Sequence, residues 1–261
     1  MKIDGCNALI TGASAGIGRE FARQLAGSAA SLVLVARRGE RLEDLRAELT
    51  TRAPSLYVHV RIVDLAEAPQ VDALITWLAQ NKIDIDLLIN NAGLGDYGPF
   101  ATSDPKRDDR IIQVNIAALT LLTRSLLPLM IAIKHGTILN VSSSAGFLPI
   151  PGMAVYAASK AYVNSFSEAL RAELRSTGVR VIALCPGPVH TEFGEIAKRP
   201  GREPERGPEF VHIPVEQVVR DTLAAVEADR PLIIPGFAMI LGMMLVRITP
   251  MAILRWAFRF R

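Results

Sequence analysis

The chain reads as an α/β domain built on a doubly wound, parallel, seven-stranded sheet spanning residues 1–235, with an apolar and basic helical tail over 236–261. Three observations predict this. Short aliphatic runs alternate with longer segments of helical period, the runs are apolar from end to end as burial on both sheet faces requires, and a glycine-rich turn joins the first run to the first helix. With 261 residues, half of them hydrophobic, the chain has material for one substantial core and too little for two ordinary domains plus a linker.

In order, residues 8–11 form the first strand, and the turn Thr11-Gly12-Ala13-Ser14-Ala15-Gly16-Ile17-Gly18 opens a helix over 16–26. Strands over 32–36, 57–63 and 87–90 follow, separated by helical segments over 40–51 and 69–80. A long helical pattern over 106–134 leads to a strand at 137–141, a helix at 155–177 and a strand at 179–185. A helix over 215–228 and a short strand at 232–234 complete the domain. Right-handed crossovers between these strands make a Rossmann-type sheet. The stretch 194–214 breaks the rhythm with prolines, glycines and mixed charge, and it reads as part of a lid, about 190–214, over a ligand site.

Glycines 12, 16 and 18 let the backbone turn tightly and approach a pyrophosphate at a helix N-terminus. Asn90-Asn91-Ala92-Gly93 ends the fourth strand at the carboxyl edge, where ligands of such sheets sit. The second strand ends in Ala36-Arg37-Arg38, where an acid would hold the ribose 2′-hydroxyl of NAD. Arg37 and Arg38 suit a 2′-phosphate instead, which favours NADP(H) and leaves NAD(H) open. Tyr156 and Lys160 stand four apart on one helix face, so an ammonium beside the phenol would favour its ionised form and make Tyr156 a usable proton donor near neutral pH. No metal is expected.

The glycine turn, the Asn-Asn-Ala-Gly run, the serines of Val141-Ser142-Ser143-Ser144-Ala145-Gly146 and Tyr156-Ala157-Ala158-Ser159-Lys160 resemble the short-chain dehydrogenase/reductase family from about residue 3 to residue 235. The resemblance implies an NAD(P)-dependent oxidoreductase that interconverts a carbonyl and an alcohol, with Asn115, Ser143, Tyr156 and Lys160 as its catalytic residues. Ser143 is chosen because it stands thirteen before the tyrosine and three before a glycine; Ser142 and Ser144 would point elsewhere along an extended segment. Lys160 would also meet the nicotinamide ribose, and Asn115, inside the helix 106–134, would hold a water that relays protons to it. Cofactor contacts fall by resemblance on Gly12, Ser14, Ala15, Gly16, Ile17 and Gly18 of the turn, on Asp64 and Leu65 at the adenine, and on Asn91, Ala92 and Gly93. Pro186, Gly187, Val189 and Thr191 would fix the nicotinamide, while His190 reads as an ordinary loop histidine.

Leu94, Tyr97, Phe147, Leu148 and Phe193 are the candidate substrate-pocket residues, and their apolar character points to a lipophilic ketone or aldehyde. A catalytically silent NADP(H)-binding sensor or scaffold is the alternative, disfavoured by the intact quartet. Family resemblance implies a homodimer or homotetramer through the helices 106–134 and 154–177, with Ala154, Ala157, Ala158 and Ala161 allowing close approach. Net charge is only +3 with no basic run, so no nucleic-acid partner is expected. Two cysteines, Cys6 and Cys185, are too few for a disulfide framework, the first strand leaves no room for a targeting segment, and no run of about 18 apolar residues occurs. A cytoplasmic enzyme is expected. The tail, with Phe237, Trp256, Phe258 and Phe260 among arginines 247, 255, 259 and 261, packs over the cleft or a neighbouring subunit, or else lies on a membrane surface.

Overall fold

The computed structural model describes residues 2–199 and 212–257; residues 200–211 of the predicted lid, and Phe258, Arg259, Phe260 and Arg261 of the tail, lie outside the described residues. Seven parallel strands form one sheet in the order β3-β2-β1-β4-β5-β6-β7. They are β1 (Asn7–Thr11), β2 (Ser31–Ala36), β3 (Tyr57–Ile62), β4 (Leu87–Asn90), β5 (Gly136–Val141), β6 (Val179–Leu184) and β7 (Leu232–Ile233). The chain winds outward from β1 to β3 and then returns to the other side of β1, where Leu9 lies level with Val33 on one flank and Leu88 on the other. That reversal opens a crevice above the carboxyl ends of β1 and β4.

Alternation along the strands sends side chains into two cores. Ile10, Leu34, Ile89 and Leu184 face one side, covered by α1 (Gly16–Leu25), α2 (Gly39–Arg52) and α8 (Val215–Glu227). Leu9, Val33, Leu88 and Val181 face the other, covered by α3 (Ala68–Gln80), α5 (Leu119–Ala132) and α6 (Ala154–Glu173). The expectation that every strand is buried on both faces fails at β3. As the sheet edge it leaves Tyr57 and Ile62 exposed, and Arg61 lies over the Trp77 ring, 4.4 Å from its centroid.

The predicted helix over 106–134 is three segments: α4 (Pro105–Ile112), a π-helical stretch (Gln113–Ala118) and α5. Asp104 caps its start by accepting from the Lys106 N–H at 3.0 Å, with Pro105 preorganised in the first turn. The π stretch contains Asn115, and one extra residue per turn there rotates its side chain toward the β4 corner. By length and composition Pro105–Ala132 is apolar enough to cross a membrane, yet Val114, Leu122, Leu126 and Met130 lie in the core. A buried polar ladder ties this layer to the sheet: Asn90 Nδ2 donates to Asn140 Oδ1 at 2.9 Å and to the Thr123 hydroxyl at 3.1 Å, and Asn140 Nδ2 donates to the Ser167 hydroxyl at 2.9 Å. Such a ladder is fixed in register, because each slip would strand a buried amide.

One further helix had no clear sequence signal, α7 (Phe193–Ala197), in the segment predicted as a lid. The tail expected to be helical divides at Pro250 into α9 (Phe237–Ile248) and α10 (Met251–Ala257). Cys6 and Cys185 are buried free thiols.

Candidate functional site

Residues 11–18 carry the cradle. Gly12 has φ +68° and Gly16 φ +52°, backbone that L side chains rarely adopt. A Cβ on residue 12 would stand 2.9 Å from Ala92 Cα and from Asn91 Nδ2; one on residue 18 would stand 2.4 Å from Asn91 Nδ2 and 2.5 Å from Gly12 O. The turn therefore packs directly on the β4 corner. Thr11, which the sequence reading passed over, is the rivet: its hydroxyl donates to Ile89 O at 3.3 Å and accepts from the Asn91 and Ala92 N–H groups at 2.9 and 3.0 Å. Asn91 answers by donating Nδ2 to Thr11 O at 2.8 Å. Its side chain is thus engaged by the turn rather than turned toward a ligand. Gly18 likewise lies behind the turn and does not line the cleft.

One cleft of about 790 Å³ runs from this cradle to the ends of β5 and β6. It is lined by Gly12, Ser14, Ala15, Gly16 and Ile17 of the turn, by Arg37, Arg38, Asp64 and Leu65, and by Asn91, Ala92 and Gly93. Ser143, Tyr156, Lys160, Pro186, Gly187, Val189 and Thr191 line the rest of it. A bare backbone over a helix N-terminus, beside two guanidinium groups, fits a phosphorylated dinucleotide.

At the arginine end the side chains are already paired. Arg38 donates Nε to the Ser14 hydroxyl at 3.2 Å and Nη1 to Glu192 at 2.7 Å, and Arg41 reaches the same carboxylate at 2.6 Å. These two hydrogen bonds from arginines hold the Glu192 carboxyl below its ordinary range. Asp64 is gripped by Arg110 at 2.7 Å, with Arg37 at 3.9 Å. Partial burial opposes its ionisation, but the Arg110 bond, the Ala66 N–H and Arg37 together keep its pKa low.

At the opposite end, Tyr156 is 8% exposed and Lys160 4%. The expected lowering of the phenol pKa by Lys160 is not what the structure gives. Burial pushes Tyr156 up to about 12, opposed by a hydrogen bond with the Ser143 hydroxyl. Lys160 donates Nζ to Val141 O at 2.8 Å and lies 5.8 Å from the centre of the tyrosine ring, and burial pushes the ammonium down to about 8. Ser143 also accepts from the Ala145 N–H at 3.1 Å, capping a short 3-10 turn over Ser144–Phe147. The Ser142 hydroxyl is engaged by Lys160 O, to which it donates at 2.9 Å, yet Ser142 lines the cleft, and Ser144, expected to point elsewhere, lines it too. Because β5 ends at Val141, strand alternation no longer governs that serine.

Asn115 is 1% exposed and lies behind the cleft wall. Its Oδ1 accepts from the Leu94 N–H at 2.8 Å, and its Nδ2 donates to Leu94 O and to the Ser159 hydroxyl, both at 2.9 Å. Both backbone groups of Leu94 are therefore fixed by one amide. A Cβ on Gly93 would stand 3.3 Å from Lys160 Nζ and 3.6 Å from Asn115 Oδ1, so glycine there is what lets these groups share a small space.

Leu94, Tyr97, Leu148 and Phe193 line the cleft, whereas Phe147 does not. Phe147 ends the 3-10 turn half-buried and off the cleft wall, a placement that a reading by sequence proximity misses. Phe193 tilts over Tyr156 with ring centres 5.3 Å apart. Ile150, Met153, Ile196 and Met243 add lining that the sequence did not single out; Met243 comes from the tail. Val189 pairs with Ile213 in an isolated parallel bridge. Arg107 donates to Ile196 O at 2.7 Å, while Arg199 and Arg107 both pair with the buried Asp96. His190 stacks on His212 at 4.5 Å at the rim.

The sequence profile described as short chain dehydrogenase matches residues 6–200. Among curated proteins, a sulfoacetaldehyde reductase of Chromohalobacter salexigens is 44% identical over 187 residues, covering 70% of this chain and 72% of its own. Among solved structures, a short-chain dehydrogenase from Sphingobium yanoikuyae in complex with NADPH superposes with TM-score 0.81 at 33% identity, covering 89% of this chain and 88% of that one. The bulky-bulky ketone specific alcohol dehydrogenase from Comamonas testosteroni superposes with TM-score 0.77 at 31% identity, covering 89% and 86%.

Proposed function

We propose, from the premise that this chain belongs to the short-chain dehydrogenase family, that it is an NADP(H)-dependent reductase of a lipophilic ketone or aldehyde, running in reverse as an NADP-dependent dehydrogenase of the corresponding alcohol. The observation that carries the reading is a buried phenol and the Ser143 hydroxyl in the same cleft as a glycine-rich phosphate cradle. When bound, the dinucleotide supplies a hydride to the carbonyl carbon. The chain's own residues do the rest. Ser143 donates a hydrogen bond to the carbonyl oxygen, and Tyr156 hands its proton to that oxygen as negative charge grows there. Burial pushes the phenol pKa up, so Tyr156 carries a proton to donate at neutral pH. Lys160 holds the ribose and offers positive charge to the phenolate left behind.

Arg37 and Arg38, with no carboxylate at the end of β2, support the phosphorylated cofactor, and Ser14 orients the Arg38 guanidinium. For the substrate, Leu94, Tyr97, Leu148, Ile150, Phe193 and Met243 support an apolar compound. Exposed Ala154, Ala158 and Ala161 on α6 support a homodimer or homotetramer; Ala157 is buried within its own chain and is not part of that surface. Buried free thiols fit a reducing compartment such as the cytoplasm.

The test is Tyr156→Phe in a cofactor-oxidation assay with NADPH and NADH against carbonyls graded by chain length and ring count. Turnover should fall by about 10²- to 10⁴-fold, the usual share of a positioned acid, while the NADPH dissociation constant stays within about twofold. Turnover near the wild-type rate would show that another group donates the proton. Dinucleotide binding with no activity on any carbonyl would favour a sensor.

A further inference from the structure

We propose that the outer face of α9 and α10 is a docking surface for an anionic lipid membrane. On α9 the chain is apolar all the way round, which ordinarily marks a helix buried on every side. Here only one side is buried. Met243 lines the cleft, and Met239 lies against Gly187, where a Cβ would come within 2.9 Å of it. The opposite stripe, Phe237, Ile240, Leu241, Met244, Leu245 and Ile248, repeats at helical spacing and is 41 to 82% exposed. On α10, Ile253 and Trp256 are also exposed, at 54 and 62%. Six large apolar side chains in one stripe are more than a monomer leaves in water without use.

Charge decides the occupant. From Gly236 to the last residue of the sequence there is no aspartate or glutamate, while arginines stand at 247, 255, 259 and 261; the last two lie outside the described residues. Arg247 is exposed and borders the apolar stripe, the place of a headgroup contact for a helix lying in an interface. An anionic leaflet complements such a surface, and each arginine brought near it strengthens binding by about fivefold. A second copy does not complement it: self-apposition would face arginine with arginine and supply no acid from this segment. The globular domain takes the part of the polar face that a free amphipathic helix would need, because the inner stripe is already spent on the cleft. Docking through the outer stripe leaves the catalytic residues untouched, so the surface stands whichever carbonyl is reduced.

Purified full-length protein, sedimented with sucrose-loaded vesicles of phosphatidylglycerol and phosphatidylcholine or of phosphatidylcholine alone, tests this. The wild type should sediment with the anionic vesicles, more at low salt than at high. Leu241→Asp/Leu245→Asp, both on the outer stripe, should lower the bound fraction by about tenfold or more, and Arg247→Ser/Arg255→Ser should remove the preference for anionic lipid. Phe237→Ser/Ile248→Ser, at the two ends of the stripe, provides a second apolar variant should the first fold poorly by its melting curve. Wild type left in the supernatant with both vesicles at low salt would overturn the proposal, as would equal sedimentation of wild type and a folded stripe variant. Sedimentation velocity without lipid addresses the rival: a wild-type oligomer that the stripe substitutions dissociate, with no vesicle binding, would assign this face to a second copy.

Discussion

Replacing Lys160 by methionine should stabilise the fold at neutral pH while abolishing turnover. The lysine is almost fully buried, and burial lowers its pKa from 10.5 to about 8. At about 1.4 kcal/mol per pH unit, holding the ammonium in that place costs the folded state about 3 kcal/mol wherever the group is protonated in both states. Methionine matches the stem without the charge but leaves Val141 O without its partner, a loss of about 1 kcal/mol. The variant should therefore be more stable by about 2 kcal/mol at pH 7. Between pH 8 and 10.5 the unfolded chain binds the lysine proton more tightly than the folded one, so wild-type stability rises with pH across that window. The advantage of methionine should shrink by about 3 kcal/mol over the same interval and vanish near pH 10. Urea unfolding of both proteins at pH 7, 8, 9 and 10 measures the difference directly, since titrations common to both cancel. A difference flat across that range would show that the ammonium is not desolvated, and the reasoning would fail.

Asn115→Leu should destabilise the protein by about 2–4 kcal/mol, because it strands both backbone groups of Leu94 inside the wall of the cleft; an unchanged urea midpoint would contradict this. Gly18→Ala drives a methyl into Asn91 Nδ2 and Gly12 O, and should cost about 1–3 kcal/mol together with a weaker dinucleotide affinity by fluorescence titration. Normal binding there would mean that the turn can yield. Arg38→Ser should raise the NADPH dissociation constant by about 10- to 100-fold and leave that for NADH within about twofold, the loss expected for one charged hydrogen bond. Equal weakening of the two cofactors would remove Arg38 from selection of the 2′-phosphate.

What could be read in advance was local. Each strand is a run of a few aliphatic residues, each helix a periodic segment, and the glycines announce their turn because L side chains rarely take φ near +68° and a Cβ there would strike the neighbouring backbone. Tyr156 and Lys160 share a face through spacing alone. Direction was not readable. Lys160 turns its Nζ to Val141 O rather than to the phenol because an acceptor at the end of β5 lies closer, and nothing within four residues of it says so. Glu192 meets Arg38 and Arg41 across some 150 residues, and Met243 reaches the cleft from a helix whose inward and outward sides are equally apolar. Phe147 was misplaced for the opposite reason, adjacency in sequence to Ser143 being taken for adjacency in space.

The family match stops at residue 200, and Met243 is supplied by a helix well beyond it. One wall of the cleft is thus separable in sequence from the residues proposed to move hydride and proton. Exchanging the dozen residues of α9 would remodel what enters without touching that quartet or a single strand of the sheet.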